Sequence, residues 1–224
     1  MMIGIIAATV QEREALCKAF GAEAKGPMEY VRGRMEGKDV VLVQAGIGKV
    51  NAALCAQKMI DLYQPEAIIN VGVAGALDPD LHVGDLVISR DAVQHDFDTM
   101  YFGDSPGYVS GVGLSMPADQ ALMEKAEKAA SALGLAYRIG RVASGDQFIA
   151  SPEKKEWIAA TFQASCTEME GAAIAQVALL NQVPFLIIRA ISDGADDGAP
   201  VSYYEFVEMA AERAVKLIDA MLKS

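Results

Sequence analysis

Short apolar runs alternate along the chain with longer stretches of helical period, and that alternation predicts the elements. Residues 3–7, Ile-Gly-Ile-Ile-Ala, form a continuous apolar run of the kind found in strands covered on both faces. A helix is expected over 11–20, then two strands over 30–34 and 40–44 around a turn at Glu36-Gly37-Lys38-Asp39. Helix over 50–62 and buried strand over 67–71 follow, then strand over 86–92. Residues 96–118, rich in Gly, Ser, Pro and Asp, predict a long irregular segment. Apolar residues at 122, 123, 126, 129, 130 and 133 restore helical period behind Asp119, an N-cap residue type. Strand over 137–142, a short helix over 153–162 carrying Trp157, and a last central strand over 184–191 come next. Ser202 and Glu205 have capping-box spacing and predict the start of a C-terminal helix with Phe206, Met209, Ala210, Leu217, Ile218, Met221 and Leu222 on one face.

No repeat, linker or low-complexity tract interrupts this pattern. It predicts one α/β domain over 1–224, with a mixed, mainly or partly parallel central sheet flanked by helices on both faces. Ligands of such sheets bind where loops leave the carboxyl ends of strands. The segments to inspect are therefore 9–13, 45–49, 72–77, 144–149, 168–172 and 192–197, together with the long stretch 96–118.

Composition narrows the function classes. Against 30 acidic residues stand 19 Lys and Arg, a formal charge of −11 that disfavours nucleic acid and anionic membranes as partners. The three cysteines, Cys17, Cys55 and Cys166, are far apart and form no CxxC pair, which suits a reducing cytoplasm and argues against a zinc or redox motif. His82 and His95 are too few and too isolated to suggest a metal, and structural or surface roles are expected of them. The apolar start of the chain runs directly into Gln11-Glu12-Arg13-Glu14, so it reads as a first strand and not a signal peptide. No apolar run reaches transmembrane length, and no cofactor is implied.

Several strand-end segments carry candidate chemistry, each beside a plainer explanation. Ala45-Gly46-Ile47-Gly48-Lys49-Val50-Asn51 lacks the third glycine of a dinucleotide fingerprint and the spacing of a P-loop, so it is also explained by a tight strand-to-helix turn. Glu168-Met169-Glu170 sets two carboxylates at the start of an Ala-rich helix, where the macrodipole alone would favour them. Arg189 and Asp193 bracket the end of the last apolar strand and imply partners, because unpaired charge is costly to bury, although Asp193 could also turn the chain. Glu12 could be a solvated first-turn residue, and Asp196-Asp197 a solvated loop pair.

Taken in order, Ile3-Gly4-Ile5-Ile6-Ala7-Ala8 with Glu12, Gly46-Ile47-Gly48-Lys49, Ile69-Asn70-Val71-Gly72-Val73-Ala74-Gly75, Val83-Gly84-Asp85, Ser144-Gly145-Asp146-Gln147-Phe148-Ile149, Glu168-Met169-Glu170 and Arg189-Ala190-Ile191-Ser192-Asp193 form a set. From residue 3 to about 222 the chain closely resembles the 5′-methylthioadenosine/S-adenosylhomocysteine nucleosidases of the purine nucleoside phosphorylase superfamily. The resemblance implies a nucleoside phosphorylase-like fold, an adenine nucleoside as substrate and a homodimer. It implies that Asp193 protonates the purine with Ser192 beside it, and that Glu12 activates water. Glu170 would bind the ribose hydroxyls, Met169 would pack on the ribose, Phe148 would stack on adenine and the backbone of Ile149 would read its edge. Arg189 would pair with Glu168. Ile47, Tyr203 and, from a neighbouring subunit, Thr99 and Phe102 would complete the substrate pocket. The chain departs from the family pattern at three places: Val73 replaces a usual Ser or Thr, Thr9 a frequent Met, and Asp104 a common aromatic. Val73 cannot donate the hydroxyl that helps superfamily phosphorylases hold phosphate. A phosphorolytic enzyme, a binding module without catalysis, and a futalosine-type or adenosine-type substrate are the competing expectations.

Overall fold

The computed structural model describes residues 2–21, 23, 26–196 and 198–223; Asp197 lies outside them. In chain order the elements are β1 (Met2–Ala7), α1 (Val10–Phe20), β2 (Val31–Met35), β3 (Lys38–Gln44), α2 (Lys49–Tyr63), β4 (Ala67–Ala76), β5 (Leu86–Gln94), β6 (Met116–Pro117) and α3 (Gln120–Ala132). They continue with β7 (Tyr137–Ser144), α4 (Pro152–Phe162), β8 (Cys166–Glu168), α5 (Gly171–Leu180), β9 (Phe185–Asp193) and α6 (Ala199–Lys223).

The sheet is mixed. Parallel pairs β3–β1, β1–β4 and β4–β9 make one wing, with β2 antiparallel at its edge. Beyond β4 the sheet curls on itself: β9 pairs antiparallel with β5, β5 runs parallel to β7, β7 to β8, and β8 returns antiparallel to β4. Five strands thus close a ring. At its mouth Gly75 of β4 is the register partner of both Thr167 and Asp193. The Ser144 end of β7 meets Glu168 there.

Helices cover both faces, as the strand pattern predicts. On one side α1, α3 and α6 supply Leu16, Ala126, Ala130, Leu217 and Ile218 to a core with Ile5, Ile69, Ile88 and Ile188. On the other, α2 and α5 set Cys55, Met59 and Ile174 against Ile6, Val41 and Ile68. Each large side chain buried this way contributes about 1.5–3 kcal/mol. Asp119 caps α3 through Leu122 N–H at 2.9 Å, as its position predicts. The three cysteines are free thiols.

Two boundaries differ most from expectation. The C-terminal helix begins at Ala199, so Ser202 sits inside its first turn and its own N–H donates to Gly198 O at 3.1 Å. Pro200 explains the earlier start, because its missing N–H costs nothing in a first turn. Likewise β4 does not stop at Val71 but runs through Gly72-Val73-Ala74-Gly75 to Ala76. These glycines read as a loop in sequence; in the fold they keep space for neighbouring carboxylates. Residues 96–118 are largely irregular, with a short turn of 3₁₀ helix over Met100–Phe102 and the two-residue β6. No helix of the described residues is long and apolar enough to cross a membrane.

Candidate active site

Glu12 enters the site through the cap of α1. Thr9 is the N-cap in extended conformation, and a full capping box joins it to Glu12. Glu12 Oε2 accepts from Ala8 N–H at 2.8 Å and Thr9 N–H at 2.9 Å, and Oε1 from Val73 N–H at 3.0 Å. The side chain is buried, not the solvated first-turn residue that composition allowed. A Cβ on Gly72 would stand 2.6 Å from Glu12 Oε1, so glycine is required there by the carboxylate. The capping role also accounts for threonine at position 9.

Asp193 ends β9. Ser192 Oγ donates to its Oδ2 at 2.8 Å and Ala195 N–H to its Oδ1 at 2.9 Å. Burial pushes the Asp193 carboxyl above its ordinary pKa, and Asp196 adds to the rise, although the two hydrogen bonds and the Lys155 charge oppose it. Gly75 is the matching glycine: a Cβ there would lie 2.7 Å from Asp193 Oδ1.

Glu168 and Glu170 flank Met169 but have opposite surroundings. Glu168 is fully enclosed by the Arg189 guanidinium, the Ser144 hydroxyl and the N–H groups of Glu170 (3.0 Å) and Gly171 (2.9 and 2.8 Å to its two oxygens). Burial would raise its pKa, but Arg189 and these donors outweigh it and hold the carboxyl below the usual range. Arg189 in turn donates to Asn70 Oδ1, a pairing that the motif containing Asn70 does not announce. Burying a pair of charges requires this degree of hydrogen bonding. Among the described residues Glu170 has one such donor, Gly48 N–H at 2.8 Å. Burial, reinforced by the Glu168 charge, raises its pKa to about 8.

The glycine turn before α2 is the tight strand-to-helix turn expected of it, and it also reaches the site. Gly46 and Gly48 adopt φ of +86° and +96°, which other residues rarely do, and Gly48 presents its N–H to Glu170. Next to it Lys49 forms a latch that sequence reading did not foresee. Lys49 Nζ reaches Asp96 Oδ1 at 2.6 Å and Gln94 Oε1 at 2.9 Å. Lys49 N–H donates to Asp146 Oδ1 at 2.7 Å, and Asp146 N–H to Asp96 Oδ2 at 2.8 Å. The latch ties the turn to the loop after β7.

These segments enclose one cavity of about 450 Å³, within the usual range for small-molecule sites. Glu12, Glu170, Met169, Ser192 and Asp193 line it, with Ile47, Phe148, Ile149 and Tyr203 as apolar and aromatic walls. Phe148 and Tyr203 meet edge to face at 5.8 Å. Val73, Thr167, Glu168, Pro200 and Tyr204 also contribute to the lining. No arginine lines the cavity among the described residues; Arg13 instead bonds Gln44 at 2.9 Å. Phe102 is not brought into the cavity by its own chain: it is 81% exposed and packs on Tyr101. Thr99 lies in the same segment and donates to Asp104 Oδ2 at 2.8 Å. His95 is buried and His82 exposed beside Asp85. Among the described residues no cluster of three or more His, Cys, Asp or Glu could hold a metal ion.

A strand-mouth cavity lined by carboxyl groups of contrasting environment and an aromatic wall suits acid–base chemistry on a small, partly apolar molecule. Over residues 2–223 the chain matches the family described as the Phosphorylase superfamily. It is 41% identical over 222 residues to the 5′-methylthioadenosine/S-adenosylhomocysteine nucleosidase of Geobacillus thermodenitrificans, covering 98% of this chain and 91% of that one. The corresponding nucleosidase of Neisseria meningitidis, solved in complex with methylthio-immucillin-A, superposes with a TM-score of 0.94 at 36% identity over 99% of this chain and 98% of the other. A futalosine hydrolase mutant of Helicobacter pylori reaches the same TM-score at 32% identity over 99% and 98%. The chain therefore belongs to the Phosphorylase superfamily and, within it, to the 5′-methylthioadenosine/S-adenosylhomocysteine nucleosidases.

Proposed function

We propose that the protein hydrolyses the N-glycosidic bond of 5′-methylthioadenosine and S-adenosylhomocysteine, releasing adenine and the thio-ribose, with Asp193 and Glu12 as acid and base. The observation that carries the assignment is that both carboxyl groups line one cavity while differing in what holds them. Asp193, its pKa raised by burial, gives its proton to adenine N7, so the base leaves as a neutral molecule when C1′–N9 breaks. Glu12, held in place by three backbone N–H groups, takes a proton from water as the water oxygen bonds C1′. Solvent exchange then returns a proton to Asp193 and removes one from Glu12.

Burial keeps a proton on Glu170 in the free protein; donation from the ribose hydroxyls and the developing sugar cation favour its ionised form, which then accepts from those hydroxyls and stabilises the transition state. Met169 packs on the ribose, Phe148 stacks on adenine and Ile149 reads its edge through the backbone. Ile47 and Tyr203 wall the 5′ side. Thr99 and Phe102 act across a homodimer interface. Exposed apolar side chains support such an interface: Val50 and Leu54, one turn apart on α2, are 77% and 59% exposed, besides Phe102. Sedimentation of the purified protein is expected to give twice the chain mass.

Water rather than phosphate is the acceptor, because the cavity offers no arginine among the described residues and Glu12 would repel an anion. Purified protein given methylthioadenosine, adenosylhomocysteine, adenosine, inosine and an aminofutalosine, with and without phosphate, tests the assignment. Free adenine and the unphosphorylated thio-ribose from the first two, independent of phosphate, are the expected result. Release of a ribose 1-phosphate, or no release of base, would overturn it. Preference for the futalosine would instead match the Helicobacter pylori neighbour.

A further inference from the structure

We infer that Lys155 is a positioning residue for the general acid: its ammonium holds the Gly194 carbonyl and thereby keeps the donor of the next residue on Asp193. This rests on the assignment of Asp193 as the acid. The helix α4 starts directly after the Phe148-Ile149 wall, capped by Ser151. From its first turn Lys155 Nζ donates to Gly194 O at 2.7 Å. The following residue, Ala195, is fully buried with φ of +51°, and its N–H is the group that donates to Asp193 Oδ1.

A left-handed conformation in a non-glycine residue is strained and persists only where its surroundings impose it. Here the surroundings are Gly75, whose added Cβ would lie 2.8 Å from Ala195 Cβ, the apolar cluster of Ile149, Ile158 and Phe162, and Lys155 on the preceding carbonyl. Lys155 therefore fastens the segment behind the base wall to the segment behind the acid, two parts that must address the same purine ring. It also sets the local field. The charged and titratable groups facing Asp193 are Asp196, which strengthens its hold on the proton, Lys155, which weakens it, and the Tyr203 phenol from α6. Lys155→Met should both loosen the acid and make it release its proton at higher pH.

The test measures kcat and KM for methylthioadenosine against pH in the wild type, Lys155→Met, Lys155→Arg and Asp193→Asn, at low salt where the charge is least screened. In Lys155→Met, kcat should fall about tenfold, less than the hundredfold that an ångström of misplacement can cause. KM should stay within about twofold, and the alkaline limb of kcat should move up by about half a pH unit. Lys155→Arg should restore both. An unmoved limb and wild-type kcat in Lys155→Met would overturn the inference, as would an arginine variant no better than methionine. If Asp193→Asn is inactive in that case, only the role of Lys155 falls; if Asp193→Asn is active, the acid itself is misassigned.

Discussion

The first turn of α1 and the end of β9 each deliver one carboxyl group to the same cavity, by different means. Glu12 is clasped by backbone N–H groups of three residues, Ala8 and Thr9 at the start of α1 and Val73 of β4. Asp193 has one hydroxyl and one N–H, and burial outweighs them. Under the proposed roles, the acceptor and the donor differ in what holds them rather than in side-chain type. The same contrast recurs two residues apart in Glu168 and Glu170, where the first is consumed by Arg189 and its neighbours and the second keeps oxygen capacity for a ligand.

Breaking either member of the first pair should have the largest effect. Glu12→Gln and Asp193→Asn are each expected to lower kcat by about 10³-fold, read by adenine release, with circular dichroism unchanged. Because the two act on one bond, the double variant should lose less than the product of the single losses. Activity should fall as pH rises through the raised pKa of Asp193, because only its protonated form can donate.

Glu170→Gln sharpens the second pair and should lower kcat/KM by about 10²-fold. It has a stability counterpart. The folded-state pKa of Glu170, about 8, lies above its ordinary 4.5, so the folded chain keeps a proton that the unfolded chain has released. Stability conferred by that difference is lost as pH rises from about 4.5 to 8. Glu170→Gln should therefore raise Tm relative to wild type more at pH 8 than at pH 5, in paired thermal melts.

Lys49→Met cuts the latch between the glycine turn and the base loop without touching a carboxyl that lines the cavity. KM is expected to rise about fivefold with kcat within about twofold, since the latch positions pocket walls and not the acid or base. Smallest of all is Ser202→Ala. A true N-cap would cost about 1 kcal/mol, but a helix that begins at Ala199 should lose little, and the melting temperature should move by less than about 2 °C.

The strands and helices were legible because buried parallel strands and amphipathic helices leave local periodicity. Ends were less so. Gly72 and Gly75 read as a loop because glycine signals turns, whereas here they make room inside β4 for side chains distant in sequence. Closure of the ring depends on the three-residue β8, too short to announce itself and fixed by its partners β4 and β7. The motifs that carry the resemblance placed Glu12, Asp193, Glu170 and Phe148 on one cavity's lining. The contacts of Asn70, Asp96 and Lys155 were not legible, although Asn70 lies in a motif that carries the resemblance, because each joins residues from different parts of the chain.

A substrate whose leaving group needs no proton separates the two roles most directly. With a p-nitrophenyl 5-methylthio-β-ribofuranoside, Asp193→Asn should hydrolyse nearly as fast as wild type while remaining crippled on methylthioadenosine. Glu12→Gln should be slow on both. Equal impairment of Asp193→Asn on the two substrates, or sparing of Glu12→Gln on either, would contradict the division of labour between the two carboxyl groups.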